Sequence, residues 1–204
     1  MARSGRRRGS GADTLATRQA IIEATIAELA ESGFSATSAR AVALRAGVAP
    51  GGVFYHFGSM DDLLGDVFDR CHSARLDRLR AALDGPAEAW PAQLARATRA
   101  EFESAESRAL LELVVGSIGS PTLGSRIREG IAESVEFTRG VLGEVLDGST
   151  LGAAVPLDLA SEVAASAFFG LEVLGHVGHD VDLDGLASIV EMLLALLTGR
   201  AAPA

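Results

Sequence analysis

The chain has 204 residues, 48% hydrophobic and 22% charged, a balance that fits a folded globular protein and excludes a disordered one. No apolar run reaches the roughly 18 residues of a membrane span. No apolar segment follows the basic N-terminus as a secretory leader would need, and a lone cysteine, Cys71, excludes an internal disulfide and agrees with a reducing cytoplasm. A net charge of −9 argues against nucleic acid as a partner until the chain is divided. Residues 1–58 hold seven arginines against four acids, a balance of +3, and residues 59–204 a balance of −12. The positive charge is gathered at the N-terminal end, the footprint expected of a nucleic-acid reader.

Residues 1–13 are rich in Arg, Gly and Ser and lack apolar anchors, so they read as a flexible basic arm. Its Arg6, Arg7 and Arg8 suit phosphates or the minor groove of a duplex. Leu15 to Ser32 follows as a helix with Ile22, Ile26, Leu29 and Ala30 on one face, ended by Gly33 and Phe34. Phe34 is expected to pack under the next elements. There, Ala39, Val42, Ala43 and Ala46 give a short helix its apolar face, and Gly47 supplies the residue that turns the chain. Pro50 fits a first helical position. Val53, Phe54 and Phe57 are expected to anchor the second helix in the core. Gly58 breaks it, and Ser59 with Asp62 resembles a capping box. Two helices across a tight Gly-containing turn predict a helix-turn-helix.

A long helical pattern runs from Asp61 to about Leu83 and stops at Asp84-Gly85-Pro86. Further helices are expected from Trp90-Pro91 onward, then at Leu110–Ile118, Thr122–Leu146, Pro156 to about Gly175, and Leu183 to about Leu197. No segment shows the period of two that a strand requires. The expectation is an all-α chain of about nine helices. It divides into an arm (1–13), a three-helix helix-turn-helix domain (14–60) and a C-terminal helical ligand-binding and dimerisation domain (61–204).

The run Gly33-Phe34, Ala36-Thr37-Ser38, Arg40, Ala43, Ala46-Gly47-Val48, Gly51, Val53-Phe54-Tyr55-His56-Phe57, Ser59 and Leu63 resembles the N-terminal domain of the TetR (tetracycline-repressor) family of transcriptional regulators. The likeness covers roughly Thr17 to Phe68. It implies DNA binding, dimerisation through the last two long helices, and control by a small molecule bound among the middle helices. On that reading the chain is a homodimeric repressor released from a palindromic operator in double-stranded DNA by an apolar or amphipathic effector. Activation instead of repression, and DNA binding without small-molecule control, are the alternatives.

A helix in the major groove offers its first residues to base edges and its flanks to phosphates. That selects Pro50, Gly51, Gly52, Tyr55 and His56 on the second helix, with Thr37, Ser38 and Arg40 at the start of the helix before it. The chain departs from the family's usual pattern at Pro50, Gly52 and Met60, each losing a polar contact, and at Phe54, where a tyrosine is frequent. Expected effector-cavity residues are Phe68, His72, Trp90, Leu94, Phe102, Leu111, Val115, Phe137, Phe169 and Glu172. The final helix carries leucine and isoleucine over too wide an arc for one subunit to bury. A second copy would cover Val163, Ala167, Leu171, Leu174, Leu186, Ile189, Val190, Leu193 and Leu197.

Glu172, His176 and His179 have metal-ligand spacing on paper, but they approach a loop at Gly178 and no metal is expected. Nor is any cofactor. No phosphate loop, nucleophile elbow or His-Glu metal motif occurs, and Cys71 and His72 lie roughly 100° apart on a helix, so no catalytic residue is expected either.

Overall fold

The computed structural model describes residues 11–147, 149 and 154–198. Nine α-helices and no strand occur among them: α1 (Gly11–Ser32), α2 (Ala39–Ala46), α3 (Gly52–Phe57), α4 (Met60–Ala82), α5 (Trp90–Glu103), α6 (Ala105–Gly116), α7 (Pro121–Leu146), α8 (Leu157–His176) and α9 (Leu183–Thr198). None is long and apolar enough to cross a membrane.

Side-chain caps set most of the boundaries. The hydroxyls of Ser38, Ser59, Ser104 and Ser120 accept from the backbone N–H three residues on, closing the first turns of α2, α4, α6 and α7. Ser104 explains why α6 starts five residues before its leucines do. Helix α1 begins at Gly11, so the expected arm is shorter than 13 residues; Arg6, Arg7 and Arg8 lie outside the described residues.

Helices α1, α2 and α3 close on Ile21, Leu29, Val42 and Val53, all fully buried. The turn between α2 and α3 rests on Gly47, whose φ of 67° lies in the left-handed region and whose N–H reaches back to the end of α2. The same apolar cluster runs past residue 60 without a break. It takes in Leu63, Leu64, Val67 and Phe68 of α4, Leu110 and Leu113 of α6, and Leu123 and Ile127 of α7. The head is therefore seated on the body through a shared core.

Phe34 belongs to this seat. It packs on the cluster with its ring across Gly116 of α6, and its N–H donates to the Glu112 carboxylate at 2.7 Å. The contact is with the body instead of beneath the helix-turn-helix, because Gly33 turns the chain outward from α1. Beyond the seat, α4 continues along α5, α6 and α7. Helix α8 packs on α7 and α5, and α9 on α5 and α7.

Candidate DNA-reading face and interior cavity

Helix α3 has six residues, and Val53 and Phe57, four apart, take its buried side. Phe54 stands about 100° round from Val53 and is 49% exposed, which corrects its assignment to the core. Pro50 lies in the turn before α3, because Gly51 and Gly52 delay the helix to Gly52. Tyr55 is 82% exposed, with its ring edge-on to His56 at 5.1 Å. Pro50 and Gly51 are exposed, as is Arg40 of α2, and Gly52 and His56 are half-buried.

The hydroxyls of Thr37 and Ser38 are not equivalent. Thr37 Oγ1 donates to the Gly33 carbonyl at 2.9 Å, so its proton is committed. Ser38 Oγ accepts from Ala41 N at 3.3 Å, which leaves its proton free to donate to a phosphate. The arginines also divide. Arg45 is held by Glu28 at 2.9 Å and by Glu31 at 2.6 Å. Arg18 pairs with Asp66 of α4 and lies over the Phe57 ring. Arg40 has neither kind of partner, and among the described residues it is the head's unpaired guanidinium, exposed on α2. Charge counting could not tell these three apart.

Between α4, α7 and α8 lies a cavity of about 500 Å³. Five expected residues line it: Phe68, His72, Leu94, Phe137 and Phe169. A Cβ at Gly130 of α7 would fall 2.5 Å from the Phe68 ring, so glycine there is what lets α4 and α7 approach at the floor of the cavity.

The other five expected wall residues stand elsewhere. Trp90 is buried at the start of α5, where its Nε1–H donates to the Gly85 carbonyl at 3.1 Å and pins the turn after α4. Phe102 lies across Gly175 and edge-on to His176. Leu111 is half-buried and Val115 is 59% exposed, while Leu110 and Val114, one position earlier, face the cavity. The leucines and valines of α6 spread over more than half its circumference, so periodicity offers no reason to prefer one stripe. Glu172 sits behind the wall. Arg75 is a wall residue that periodicity did not reveal, a charged side chain on an otherwise apolar face of α4.

Arg75 Nη2 bonds Glu172 Oε1 at 2.9 Å and donates to Ser107 Oγ at 3.2 Å, while Ser107 Oγ donates to Glu172. Arg75 Nε lies 3.6 Å from Glu101, which Arg78 also holds at 2.7 Å. Burial pushes the Glu172 carboxyl up to about 7, with Arg75 opposing and Glu101 reinforcing the rise. Burial also lowers His72 below its usual range, against the pull of Glu133. It pushes the Cys71 thiol up to about 12, which keeps that thiol unreactive.

The metal spacing does not become a metal site. Glu172 is turned toward Arg75, and His176 Nδ1 is 2.8 Å from the Glu172 carbonyl. Among the described residues no group of three His, Cys, Asp or Glu side chains can hold an ion.

The outward faces of α8 and α9 carry Val163, Ala167, Leu174, Leu186, Ile189 and Leu193, all exposed, with Leu171 half-buried. Val190, expected with them, lines the mouth of the cavity instead. The Leu197 side chain lies outside the described residues.

A helix-turn-helix head with Arg40 left unpaired, seated on a hollow helical body, defines the class of helix-turn-helix DNA-binding regulators. Residues 21–67 match the family model of bacterial regulatory proteins of the tetR family. The whole fold is similar to that of a transcriptional regulator from Rhodococcus sp. Rha1 (TM-score 0.72, 18% identity, covering 91% of this chain and 99% of that one). It is also similar to a TetR-family transcriptional regulator from Pectobacterium atrosepticum (0.65, 19%, 93% and 98%) and to the multidrug binding protein EbrR, solved with imidazole (0.62, 19%, 92% and 96%). No curated protein matches the sequence. Residues 21–67 are thus matched to the tetR family, and the described helices share the fold of solved regulators of that family.

Proposed function

We propose that this protein is a homodimeric, ligand-responsive repressor that binds a palindromic operator and leaves it when an apolar or amphipathic small molecule enters the cavity. The observation that carries this reading is the position of the cavity. Its walls are α4 and α7, and the same two helices hold the head. Arg126 of α7 pairs with Asp66 of α4 at 2.9 Å and with Asp69, and Asp66 pairs with Arg18 of α1. Ser120, at the start of α7, donates to Asp61 of α4 at 2.9 Å. A guest that separates α4 from α7 changes the tilt of α4, and α1 moves with it. That differential fit to two head positions is what shifts an equilibrium.

One head covers few base pairs, so a two-fold site read by two heads spaced about 34–36 Å apart, or a multiple of that, supplies the specificity. The uncovered apolar faces of α8 and α9 support pairing of two copies there, and the similarity to EbrR, a multidrug binding protein, supports small-molecule binding on this fold. Arg40, Ser38, Tyr55 and His56 would make the contacts, with Arg40 able to reach a guanine edge or a phosphate. Light scattering of the purified protein should give twice the chain mass. Fluorescence anisotropy with operator fragments from the flanks of its own gene should give saturable binding that one member of a small-molecule panel reverses. A monomer indifferent to duplex DNA at low salt overturns the proposal.

A further inference from the structure

The side chain that gives the cavity its charge also restricts what can bind there. Arg75 is the one fully charged residue in the wall among the described residues, and beside a cavity bounded by Phe68, Phe137 and Phe169 it looks at first like an anchor for an anion. Its surroundings argue otherwise. Behind it stand Glu172 and Glu101, both at most 3% exposed, and Glu101 continues to Arg78 and Glu106. The cluster holds three carboxyl groups against two guanidiniums, so the charge of Arg75 is already matched. An anionic guest would find no unmatched positive charge there, and would give up its hydration to enter. A cation fares no better, because it meets the guanidinium before any carboxylate.

The remaining polar side chains of the wall, His72, Ser134, Thr138 and Ser166, are neutral. Ser134 Oγ donates to the Gly130 carbonyl at 3.1 Å and Thr138 Oγ1 to the Ser134 carbonyl at 2.8 Å, so both present lone pairs to the cavity and no proton. His72 is 6% exposed, and its Nε2 makes no well-directed hydrogen bond although the exposed Glu133 carboxylate lies 3.2 Å away. Imidazole and hydroxyl oxygens together suit a group that both donates and accepts, which is a hydroxyl.

We propose that the effector is an uncharged, largely apolar molecule with a single hydroxyl placed among His72, Ser134 and Thr138, and that the cavity rejects carboxylates and ammonium groups of the same shape. This rests on the reading of the cavity as the effector site, and sharpens it.

The test uses decanol, decanoate and decylammonium, each below its aggregation limit, with the full-length protein. Melting temperature and release of bound operator DNA are the readouts. Decanol should raise the melting temperature by a few degrees, and decanoate and decylammonium should act at least about tenfold more weakly. The variant Ala165→Phe, which fills the cavity from α8, should lose the response to decanol and keep its DNA affinity. Binding of decanoate or decylammonium equal to or tighter than decanol overturns the inference and leaves the effector reading standing. A response to decanol that survives Ala165→Phe overturns the placement. No response to any of the three overturns the inference, and only failure of the wider panel to release DNA then counts against the effector reading itself.

Discussion

The head and the body are built from the same kind of helix and packed to opposite standards. In the head, Ile21, Leu29, Val42 and Val53 are fully buried, and the large apolar side chains left in solvent among its described residues are Leu15, Leu44, Phe54 and Tyr55. In the body, α4, α7 and α8 enclose about 500 Å³, and α8 and α9 leave a row of large apolar side chains in solvent. A DNA reader has to hold Arg40 and Tyr55 at fixed positions, so its core is dense. On the proposed function the body admits a guest and a partner, and so has to leave both kinds of space unfilled.

This contrast breaks most directly on stability. Leu29→Ala should cost about 2–5 kcal/mol in urea unfolding, because the head has no slack to close the void. Val135→Ala, at the cavity wall, should cost less than about 1 kcal/mol, since the removed methyls already border open space. Comparable losses at the two sites would remove the distinction.

Next in size is recognition. Arg40→Ala should lower operator affinity by about 1–3 kcal/mol while the melting temperature stays put, and titration by anisotropy checks it. Arg45→Ala should act the other way round, loosening α1 from α2 through loss of Glu28 and Glu31 with little effect on affinity once folded. Equal effects on affinity would mean that the pairing of Arg45 does not hold it off the DNA.

The buried charge cluster gives a smaller, pH-dependent effect. Folding raises the Glu172 carboxyl from 4.5 to about 7, so between those values the folded state keeps a proton that the unfolded chain has released. Stability should therefore fall as pH rises from about 4.5 to about 7 and level off above. Glu172→Gln should remove that decline. His72, lowered by burial, contributes the opposite slope below its ordinary range, so His72→Gln should steepen the decline. Melting temperatures across the range decide both. The smallest effect belongs to the arm. Deleting residues 2–9 should flatten the salt dependence of DNA binding by just under one unit for each phosphate that the arm neutralises.

The fold was largely legible in the sequence because its signals are local. Ser59 with Asp62, Gly47 after Ala46, and Pro121 after Ser120 each mark a helix end through a residue that acts on backbone only a few positions away. The cavity was legible by half. Phe68 and His72 could be found because α4 has a clear apolar stripe. Leu111 and Val115 cannot be told from Leu110 and Val114 in the sequence, because the leucines and valines of α6 cover more than one side of it. Phe54 reads as a core residue beside Val53 and Phe57, yet a six-residue helix has only one buried side and those two fill it.

What the chain determined by itself is the set of helices, the turn that sets α3 against α2, and the gathering of positive charge at one end. These follow from hydrogen bonds and periodicities that span a few residues. Tertiary packing decided which arginine stays unpaired and where the cavity opens. It also decided that Arg75 answers to Glu172 and Glu101, residues far from it in the chain, because a charge takes its meaning from the neighbours that folding brings to it.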